Sequence, residues 1–354
     1  MIYGANGYTG RLIVHEAKRQ GLAPVLAGRN DSEIRALGNE LALAWRAFDL
    51  TDASAMRHAL ADIGVVANCA GPFSATSAPM IAACLDSRTH YVDITGEIDV
   101  FLAAERQHAK ARAAGIVICP GVGFDVIPTD CVAVCLLEAL PDARFIALGF
   151  KGLAVQSPGT ARTSVEGAVR GGRVRKDGAI ITVPLAHRTR MIDFGSGPRL
   201  AMTIPWGDVA TAYFSTGIPN VETYIAASPG AVARMRRMNW MRPLLRLSFL
   251  QALLKRSAAN AHPGPSQKQR DADKTYVWGE VRNDRGETRT ARLTTSNGYR
   301  LTVDGVLMAV RTLLTHTAEG GYCTPTQLMG PRCVERLPGC SAIRIEGEGA
   351  SPSD

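Results

Sequence analysis

The feature that most constrains the fold is a set of three evenly spaced glycines near the start of the chain. Gly4, Gly7 and Gly10 stand between a short apolar run, Met1–Tyr3, and an amphipathic run, Thr9–Gln20. A glycine-rich turn between a strand and a helix is typical of dinucleotide-binding units, because the backbone can approach a pyrophosphate at the helix start. The GxxGxxG spacing is common in NADP-binding short-chain-type domains. The alternative is a glycine-rich turn without a ligand.

The first 120 residues alternate short apolar runs with amphipathic runs, which predicts a doubly wound, Rossmann-type parallel sheet of the α/β class. The predicted strands after Met1–Tyr3 are Val25–Ala27, Trp45–Phe48, Val65–Asn68, His90–Asp93 and Ile116–Cys119. The predicted helices are Thr9–Gln20, Asp31–Leu41 and Ala78–Asp86, with Pro79 in the first turn of the last. Strands usually have about five or six residues. We therefore expect that residues of the first strand are missing before Met1.

After residue 142 the pattern changes, and it predicts a second α+β domain with a mixed or antiparallel sheet. A strand is expected at Arg144–Phe150, and hairpins are expected at Arg173–Val183 and Tyr276–Thr294. The first hairpin has an Asp-Gly turn, which favours two-residue connections. Apolar residues at helical spacing from Leu301 to Leu314 predict a packing helix.

The end of the second strand favours NADP over NAD. An NAD site has an acidic residue there for the ribose 2′-hydroxyl, whereas this chain reads Ala-Gly-Arg29-Asn30. The planar guanidinium of Arg29 can pair with a 2′-phosphate, and the alternative is a solvated loop residue. Asp49, after the third strand, is placed either at the adenine edge or at a helix N-cap.

Two later loops follow strands whose carboxyl ends should line the same cleft. The first loop contributes Cys69, Ala70, Gly71 and Pro72, and its glycine and proline let the backbone run beside the nicotinamide ribose. The second is glycine-rich and contributes Gly121, Gly123, Phe124 and Asp125. Phe124 can cover the nicotinamide ring, and Asp125 is either a pocket carboxylate or a residue that holds its own loop.

Candidates for proton transfer lie on the same cleft edge, and they are Tyr91, Asp93, Glu97 and Thr160. The alternative is that Asp93 and Thr95 cap the helix that follows them and that Glu97 assists the N-terminal dipole of this helix. For Thr160 and Arg162 the alternatives are an anion site at a helix start or a capped surface helix. The chain lacks the Tyr-x-x-x-Lys pair, which excludes the short-chain dehydrogenase mechanism, and we expect no metal because no histidine pair has ligand spacing.

The charge is concentrated in one segment. Forty Lys and Arg against 32 Asp and Glu give a net charge of +8, yet residues 223–270 contain nine basic residues and no acidic one. Within this stretch, 234–256 alternates Arg with Met, Trp, Leu and Phe and should break at Pro243. Such a segment can contact a membrane surface or an acyl substrate, or it can be a helix pair packed on its own domain. No nucleic-acid-binding motif is present.

The cysteines and the N-terminus point to the cytoplasm. Eight cysteines form no CxxC pair, so we expect reduced, buried thiols. The chain shows no signal-peptide pattern and no apolar run of about 18 residues, so a spanning helix is not expected. A location in the cytoplasm, with peripheral membrane contact through 234–256 as an option, is the prediction.

Several motifs together resemble the saccharopine dehydrogenase-like oxidoreductases. They are IYGANGYTGRL, ANCAGPFS, HYVDITGE, CPGVGFDVIPTD, SPGTARTS and GYCTP, in that order along nearly the whole chain. The closer similarity is to the branch of the mycobacterial trans-acting enoyl reductases. The resemblance implies an NADP-binding domain at 1–125, a substrate and dimerisation domain at 126–304, and a segment at 305–345 that returns to the first domain. The polar end, 346–354, is expected to be disordered.

The motifs and the resemblance together predict an NADPH-dependent reductase that acts on a C=C or C=N bond of a small or acyl-type substrate, as a homodimer. The alternative is a non-catalytic NADP-binding or membrane-peripheral protein of the same fold. The predicted cofactor-binding residues are Gly4, Asn6, Gly7, Tyr8, Thr9, Gly10, Arg29, Asn30, Asp49, Cys69, Ala70, Gly71, Pro72, Gly121, Gly123, Phe124 and Asp125.

Overall fold

The structure is a computed structural model that describes residues 1–152, 170–245, 264–315 and 319–347. The chain divides into two compact units. The first consists of Met1–Phe124 with Tyr299–Met329, and the second of Asp125–Gly298 with Gly330–Asp354. Among the described residues, no helix is both long enough and apolar enough to cross a membrane.

A seven-stranded parallel sheet forms the centre of the first unit. Its strands are β1 (Ile2–Tyr3), β2 (Leu26–Gly28), β3 (Trp45–Ala47), β4 (Val65–Asn68), β5 (His90–Asp93), β6 (Val117–Cys119) and β15 (Gly321–Tyr322). The order β15-β6-β5-β4-β1-β2-β3 reverses direction between β1 and β4. The predicted doubly wound sheet is therefore confirmed, and its topological switch point lies where ligands bind in such folds.

The helices of the first unit include the three predicted in the first 120 residues, and one of these three is an exception because it starts earlier. They are α1 (Tyr8–Arg19), α2 (Asp31–Leu41), α3 (Ala53–Leu60), α4 (Phe73–Ser87), α5 (Ile98–Glu105), α6 (His108–Ala114), α11 (Gly298–Thr315) and α12 (Pro325–Met329). The exception is α4, which begins at Phe73 rather than at Ala78, so Pro79 lies inside the helix instead of in its first turn. The cause is a distant carboxylate that caps the earlier start, described below.

The second unit is built on a mixed sheet that has nine strands among the described residues. The strands are β7 (Phe145–Lys151), β8 (Gly172–Lys176), β9 (Ala179–Val183), β10 (Thr189–Asp193), β11 (Pro198–Thr203), β12 (Asn220–Ala226), β13 (Lys274–Arg282), β14 (Thr288–Ser296) and β16 (Arg344–Gly347). β7 pairs parallel with β12 and antiparallel with β13. This confirms the predicted second α+β domain with a mixed sheet.

The helices of the second unit are α7 (Ile127–Ala139), α8 (Asp208–Thr216), α9 (Pro229–Leu245), α10 (Gln267–Ala272) and a 3₁₀ turn at Cys333–Arg336. Both predicted hairpins are present. In the first, Asp177 and Gly178 have φ values of +49° and +82°, as a two-residue turn between twisted strands requires. On one face of the sheet, Tyr224 and Trp278 pack with Phe194 in a buried cluster.

Three features differ from the sequence-based expectations. The segment that joins the first unit is Tyr299–Met329 rather than 305–345, and the chain from Gly330 onward belongs to the second unit because β16 pairs with β14. Residues 346 and 347 are therefore strand, not disordered tail, while 348–354 lie outside the described residues. The predicted break at Pro243 is wrong, because α9 continues through it to Leu245.

Candidate functional site

The glycine-rich turn between β1 and α1 is shaped by close backbone contacts. Gly4 has a φ of +79°, and its carbonyl oxygen accepts a hydrogen bond from the Gly7 N–H at 3.0 Å. A Cβ atom on Gly10 would lie 2.2 Å from that same oxygen, closer than any real side chain comes. The first turn of α1, which contains Tyr8 and Thr9, can therefore follow the strand at this distance only with glycine at position 10.

The N-terminus of α1 is open to an anion. Its N-cap is the exposed Gly7, no side chain caps it, and no acidic residue stands in its first turn. α2 and α3 differ from α1, because each has a side-chain cap. Asn30 accepts a hydrogen bond from a backbone N–H in the first turn of α2, and Asp52 does the same in the first turn of α3. A helix N-terminus without a side-chain cap, together with the positive end of its dipole, suits a pyrophosphate. Because its glycine turn leaves room for a close approach, this end fits the phosphate part of a dinucleotide.

The loop after β4 lies directly against the glycine-rich turn. The Cys69 N–H donates a hydrogen bond to the Tyr3 carbonyl at 2.8 Å, and a Cβ on Gly4 would lie 2.8 Å from the Ala70 nitrogen. Asn68 is fully buried, and its side-chain oxygen accepts a hydrogen bond from the Ala70 N–H at 3.1 Å. The Thr76 hydroxyl donates to the Ala70 carbonyl at 2.6 Å. The two loops therefore meet at the switch point with a fixed backbone. The peptide between Gly71 and Pro72, which ends this loop at the start of α4, is cis.

Two of the predicted catalytic residues belong to a buried hydrogen-bond network. The Tyr91 hydroxyl donates to Asp93 Oδ2 at 2.7 Å and lies 3.3 Å from the Asn68 side-chain nitrogen. Asp93 Oδ1 accepts the backbone N–H groups of Thr95, at 3.0 Å, and of Gly121, at 2.9 Å. Tyr91 and Asp93 are 0% and 1% exposed. The network therefore links the ends of β4 and β5 to the loop after β6.

Burial changes the protonation of this network. Desolvation raises the pKa of the Asp93 carboxyl to about 6, against the hydrogen bonds from Thr95, Tyr91 and Gly121, which favour the charged form. Burial and the neighbouring Asp93 raise the pKa of the Tyr91 hydroxyl well above its ordinary value. Tyr91 therefore stays protonated and donates its hydrogen to Asp93.

Glu97 acts on a helix other than the one that follows it. Its two carboxylate oxygens accept the backbone N–H groups of Phe73, at 2.8 Å, and Ser74, at 3.0 Å. These are the first residues of α4, so Glu97 caps that helix instead of assisting the dipole of α5. The Thr95 hydroxyl accepts the Glu97 N–H at 3.1 Å, which orients the segment between β5 and α5. The N-terminus of α4 is thus capped by a carboxylate, whereas no side chain caps the N-terminus of α1.

The helix α11 contacts both glycine-rich loops of the first unit. The Thr302 hydroxyl accepts the Phe124 N–H at 3.0 Å, and a Cβ on Gly123 would lie 3.0 Å from the Thr302 methyl group. The rings of Tyr8 and Tyr299 meet edge-on with centroids 5.1 Å apart. Sequence reasoning missed Tyr299 and Thr302. The only signal was the helical pattern from Leu301, which does not say what the helix packs against.

The residues expected at the adenosine end lie after β2 and β3. Arg29 is exposed and, within the described part of the chain, forms no salt bridge. Asp49 is not a helix N-cap, because α3 is capped by Asp52, and its carboxylate accepts the backbone N–H and hydroxyl of Thr51 at 2.9 and 2.8 Å. Asn6 donates its side-chain N–H to Glu33 at 2.7 Å. This bond ties the glycine-rich turn to the start of α2.

The remaining predicted residues fall on or beyond the unit boundary. Asp125 is the first residue of the second unit, and it is partly exposed. Burial of its carboxyl raises the pKa to about 7, and its carbonyl accepts the Trp206 indole N–H at 2.9 Å. Thr160 and Arg162 lie outside the described residues.

The N-terminal part of the first unit is similar to a known protein family. Residues 1–119 match the family described as saccharopine dehydrogenase NADP binding domain. This part of the chain is therefore similar to a saccharopine dehydrogenase NADP-binding domain. The match confirms the predicted cofactor, NADP, and the resemblance that the sequence motifs indicated.

Similarity to curated proteins covers part of the chain. A trans-acting enoyl reductase of Mycobacterium leprae is 32% identical over 139 residues, which are 37% of this chain and 33% of that protein. A saccharopine dehydrogenase-like oxidoreductase of Bos taurus is 28% identical over 196 residues, 47% of this chain and 45% of that protein. The matched segments thus span less than half the length of these relatives.

Similarity to solved structures extends over nearly the whole chain. The saccharopine dehydrogenase (L-Glu forming) of Saccharomyces cerevisiae gives a TM-score of 0.66 at 14% identity, covering 98% of this chain and 99% of that one. A homospermidine synthase of Legionella pneumophila, solved with NAD, gives 0.64 at 9% identity, covering 98% and 90%. At these identities the similarity shows a common fold and nothing about activity or substrate.

Proposed function

We propose that this protein is an NADPH-dependent oxidoreductase that reduces a C=C or C=N bond of an acyl-type or small substrate. The observation that carries the proposal is the open N-terminus of α1 over its glycine-rich turn, inside a saccharopine dehydrogenase NADP-binding domain. The preference for NADPH over NADH rests on Arg29. It follows β2 where an NAD site has a carboxylate, and it forms no salt bridge within the described chain.

The C=C bond of an acyl substrate is the favoured target, because one relative of this chain is named a trans-acting enoyl reductase. Such a reduction adds a hydride to one carbon and a proton to the other. Bound NADPH supplies the hydride, and a protein group or water supplies the proton. A C=N bond accepts the same pair of additions and remains the second target.

We assign Tyr91, Asp93 and Glu97 positioning roles in this reaction. Asp93 and Tyr91 are buried and already bonded to each other and to the loop N–H groups, so their contribution is to hold the loops after β4 and β6. Glu97 fixes the start of α4, which directly follows the loop of Cys69 to Pro72. A rigid backbone beside the cofactor keeps the reacting carbon in range of the hydride.

The test is the oxidation of NADPH, followed by its absorbance, with a panel of α,β-unsaturated acyl thioesters of increasing chain length and a panel of preformed imines. We expect substrate-dependent oxidation with at least one thioester, and none with the Gly10→Ala variant, whose added Cβ would meet the Gly4 carbonyl. Gly64→Ala is the matched control, because an added Cβ there makes only an ordinary contact of 3.6 Å with Leu314. Oxidation unaffected by Gly10→Ala would contradict the assigned site.

A non-catalytic NADP-binding protein of the same fold is the second candidate. The observation that favours it is the burial of Tyr91 and Asp93, two of the four residues predicted to move protons. NADPH binding without turnover on any member of either panel would support this candidate over the first.

We further propose a cytoplasmic homodimer. All eight cysteines are free thiols, including Cys131 and Cys333, whose sulfur atoms lie 3.4 Å apart without a bond. Free thiols this close suit a reducing compartment. Light scattering on the purified chain measures the subunit number, and a monomeric mass at all concentrations would exclude the dimer.

A further inference from the structure

One face of α9 is firmly attached to the second unit. Val232 is 6% exposed and packs with Ala186 and Met202 in a buried cluster. The side chain of Asn239 accepts the Leu185 N–H at 2.8 Å and donates to the Leu185 carbonyl at 3.1 Å. These contacts lie about two helical turns apart, so they fix the rotation of α9 between them.

The opposite face of α9 presents two arginines and two large apolar side chains, which we call the outer face: Arg234, Arg237, Trp240 and Met241. Trp240 is 88% exposed and Met241 is 53% exposed. Positions 234, 237 and 241 share one stripe of the helix, and position 240 lies beside it. Tryptophan is among the residues that a folded protein exposes least, so its nearly full exposure beside methionine indicates a surface that is covered in use.

The stretch of sequence that contains α9 carries only positive charge. Arg234 and Arg237 form no salt bridge within the described part of the chain, and residues 223–270 contain no Asp or Glu. The rest of the chain has 31 basic and 32 acidic residues, so the excess of positive charge belongs to this one region. The surface therefore attracts an anionic partner, and its charge falls off within about a Debye length of 10 Å in moderate salt.

We propose that the outer face of α9 binds an anionic lipid bilayer peripherally. Exposed Trp and Met provide an apolar and amphipathic contact at the depth of the lipid headgroups, where Trp is enriched in membrane proteins. The arginines pair with phosphate and carboxylate groups of the lipids, and their stems also cover apolar surface. A nucleic acid would neutralise the arginines equally well but would leave Met241 in water. This inference is independent of the proposed reductase activity.

The test is sedimentation of the full chain with vesicles of phosphatidylcholine alone and of phosphatidylcholine mixed with phosphatidylserine. We expect binding to the mixed vesicles only, weakened by added salt. The double variant Arg234→Gln/Arg237→Gln should lower the partition coefficient about thirtyfold, since each of the two basic residues near such a surface contributes about 1 kcal/mol. Trp240→Ala should also weaken binding without changing its salt dependence.

The control is the double variant Arg199→Gln/Arg344→Gln, which removes the same charge from exposed positions of β11 and β16. It should bind vesicles as the wild type does. Unchanged NADPH binding and circular dichroism in each variant would show that the fold is intact. The proposal is overturned if the chain ignores anionic vesicles, or if both double variants lose binding equally. It is also overturned if duplex RNA or polyglutamate, and not the vesicles, is bound through Arg234 and Arg237.

Discussion

The Asp93 carboxylate accepts a hydrogen bond from the Gly121 N–H at 2.9 Å, so a side chain at the end of β5 fixes the backbone of the second glycine-rich loop. The same carboxylate accepts the Tyr91 hydroxyl and the Thr95 N–H. A buried carboxylate with three donors orders the backbone on both sides of its strand, because leaving any of the donors unsatisfied would be costly. These three hydrogen bonds explain why an acidic residue can be buried at the end of this strand.

The first prediction is that Asp93→Asn destabilises the fold and weakens NADPH binding. Asparagine keeps one acceptor oxygen but places an NH₂ group against one of the three donors, which leaves that buried donor unpaired. We expect a loss of about 1–3 kcal/mol in the free energy of unfolding, measured with urea. Asp86→Asn, at an exposed position of α4, is the control and should change neither quantity. Wild-type stability in the Asp93 variant would show that the network is not needed.

The second prediction concerns pH. Burial raises the pKa of folded Asp93 to about 6 from its usual 3.8, so the folded state keeps this proton longer than the unfolded state does. Its contribution to stability is therefore complete below about pH 4 and is lost as the pH rises through 6, with a total of ~3 kcal/mol. Urea midpoints from pH 4 to 7 should show the advantage of the wild type over Asp93→Asn shrinking. An advantage that is constant or grows would contradict the raised pKa.

The sequence was sufficient for the local part of the first unit. Glycine spacing and apolar periodicity located the turn at Gly4, the helices α1 and α2, and most strands to within one or two residues. These features depend on neighbours along the chain, which a sequence displays directly. The same is true of the hairpin at Asp177 and Gly178, where the turn residues set the connection.

The sequence was not sufficient where distant residues decide the outcome. α4 starts at Phe73 because Glu97, 24 residues later, caps it. Thr302 contacts the loop of Phe124 across 178 residues of chain. β15 joins the sheet beside β6 with only Gly321 and Tyr322. Neither a cap from another loop nor a two-residue strand leaves a periodic pattern, so these features appeared only in the structure.

The third prediction isolates the hydroxyl of Thr302. Thr302→Val preserves the shape of the side chain but leaves the buried Phe124 N–H without its acceptor. We expect a loss of about 1–3 kcal/mol in stability, together with weaker NADPH binding because the loop of Gly121 and Gly123 loses its support. Thr302→Ser keeps the hydroxyl and should therefore retain most of the stability and most of the NADPH affinity of the wild type. Thermal melting measures the stability, and titration with NADPH measures the affinity. Equal stability and equal NADPH affinity of the Val and Ser variants would show that the hydrogen bond to the Phe124 N–H does not cause the losses.

The fourth prediction tests the cap on α4. Glu97→Gln removes the charge and one of the two acceptor oxygens that receive the Phe73 and Ser74 N–H groups. We expect a loss of about 1–2 kcal/mol in the free energy of unfolding, because both the cap and the charge at the helix dipole are weakened. Hydrogen exchange should increase first at Phe73 and Ser74. Unchanged exchange at these two amides would argue against the cap.

The most direct test of the account is a calorimetric titration of NADPH and NADH into the wild type, Arg29→Ala and the control Arg57→Ala, an exposed arginine of α3. We predict that the wild type and the control bind NADPH more tightly than NADH. Loss of a charge-assisted contact with the 2′-phosphate should reduce that preference by about tenfold or more in Arg29→Ala. No affinity for NADPH in the wild type, or an unchanged preference in Arg29→Ala, would contradict the proposed cofactor site.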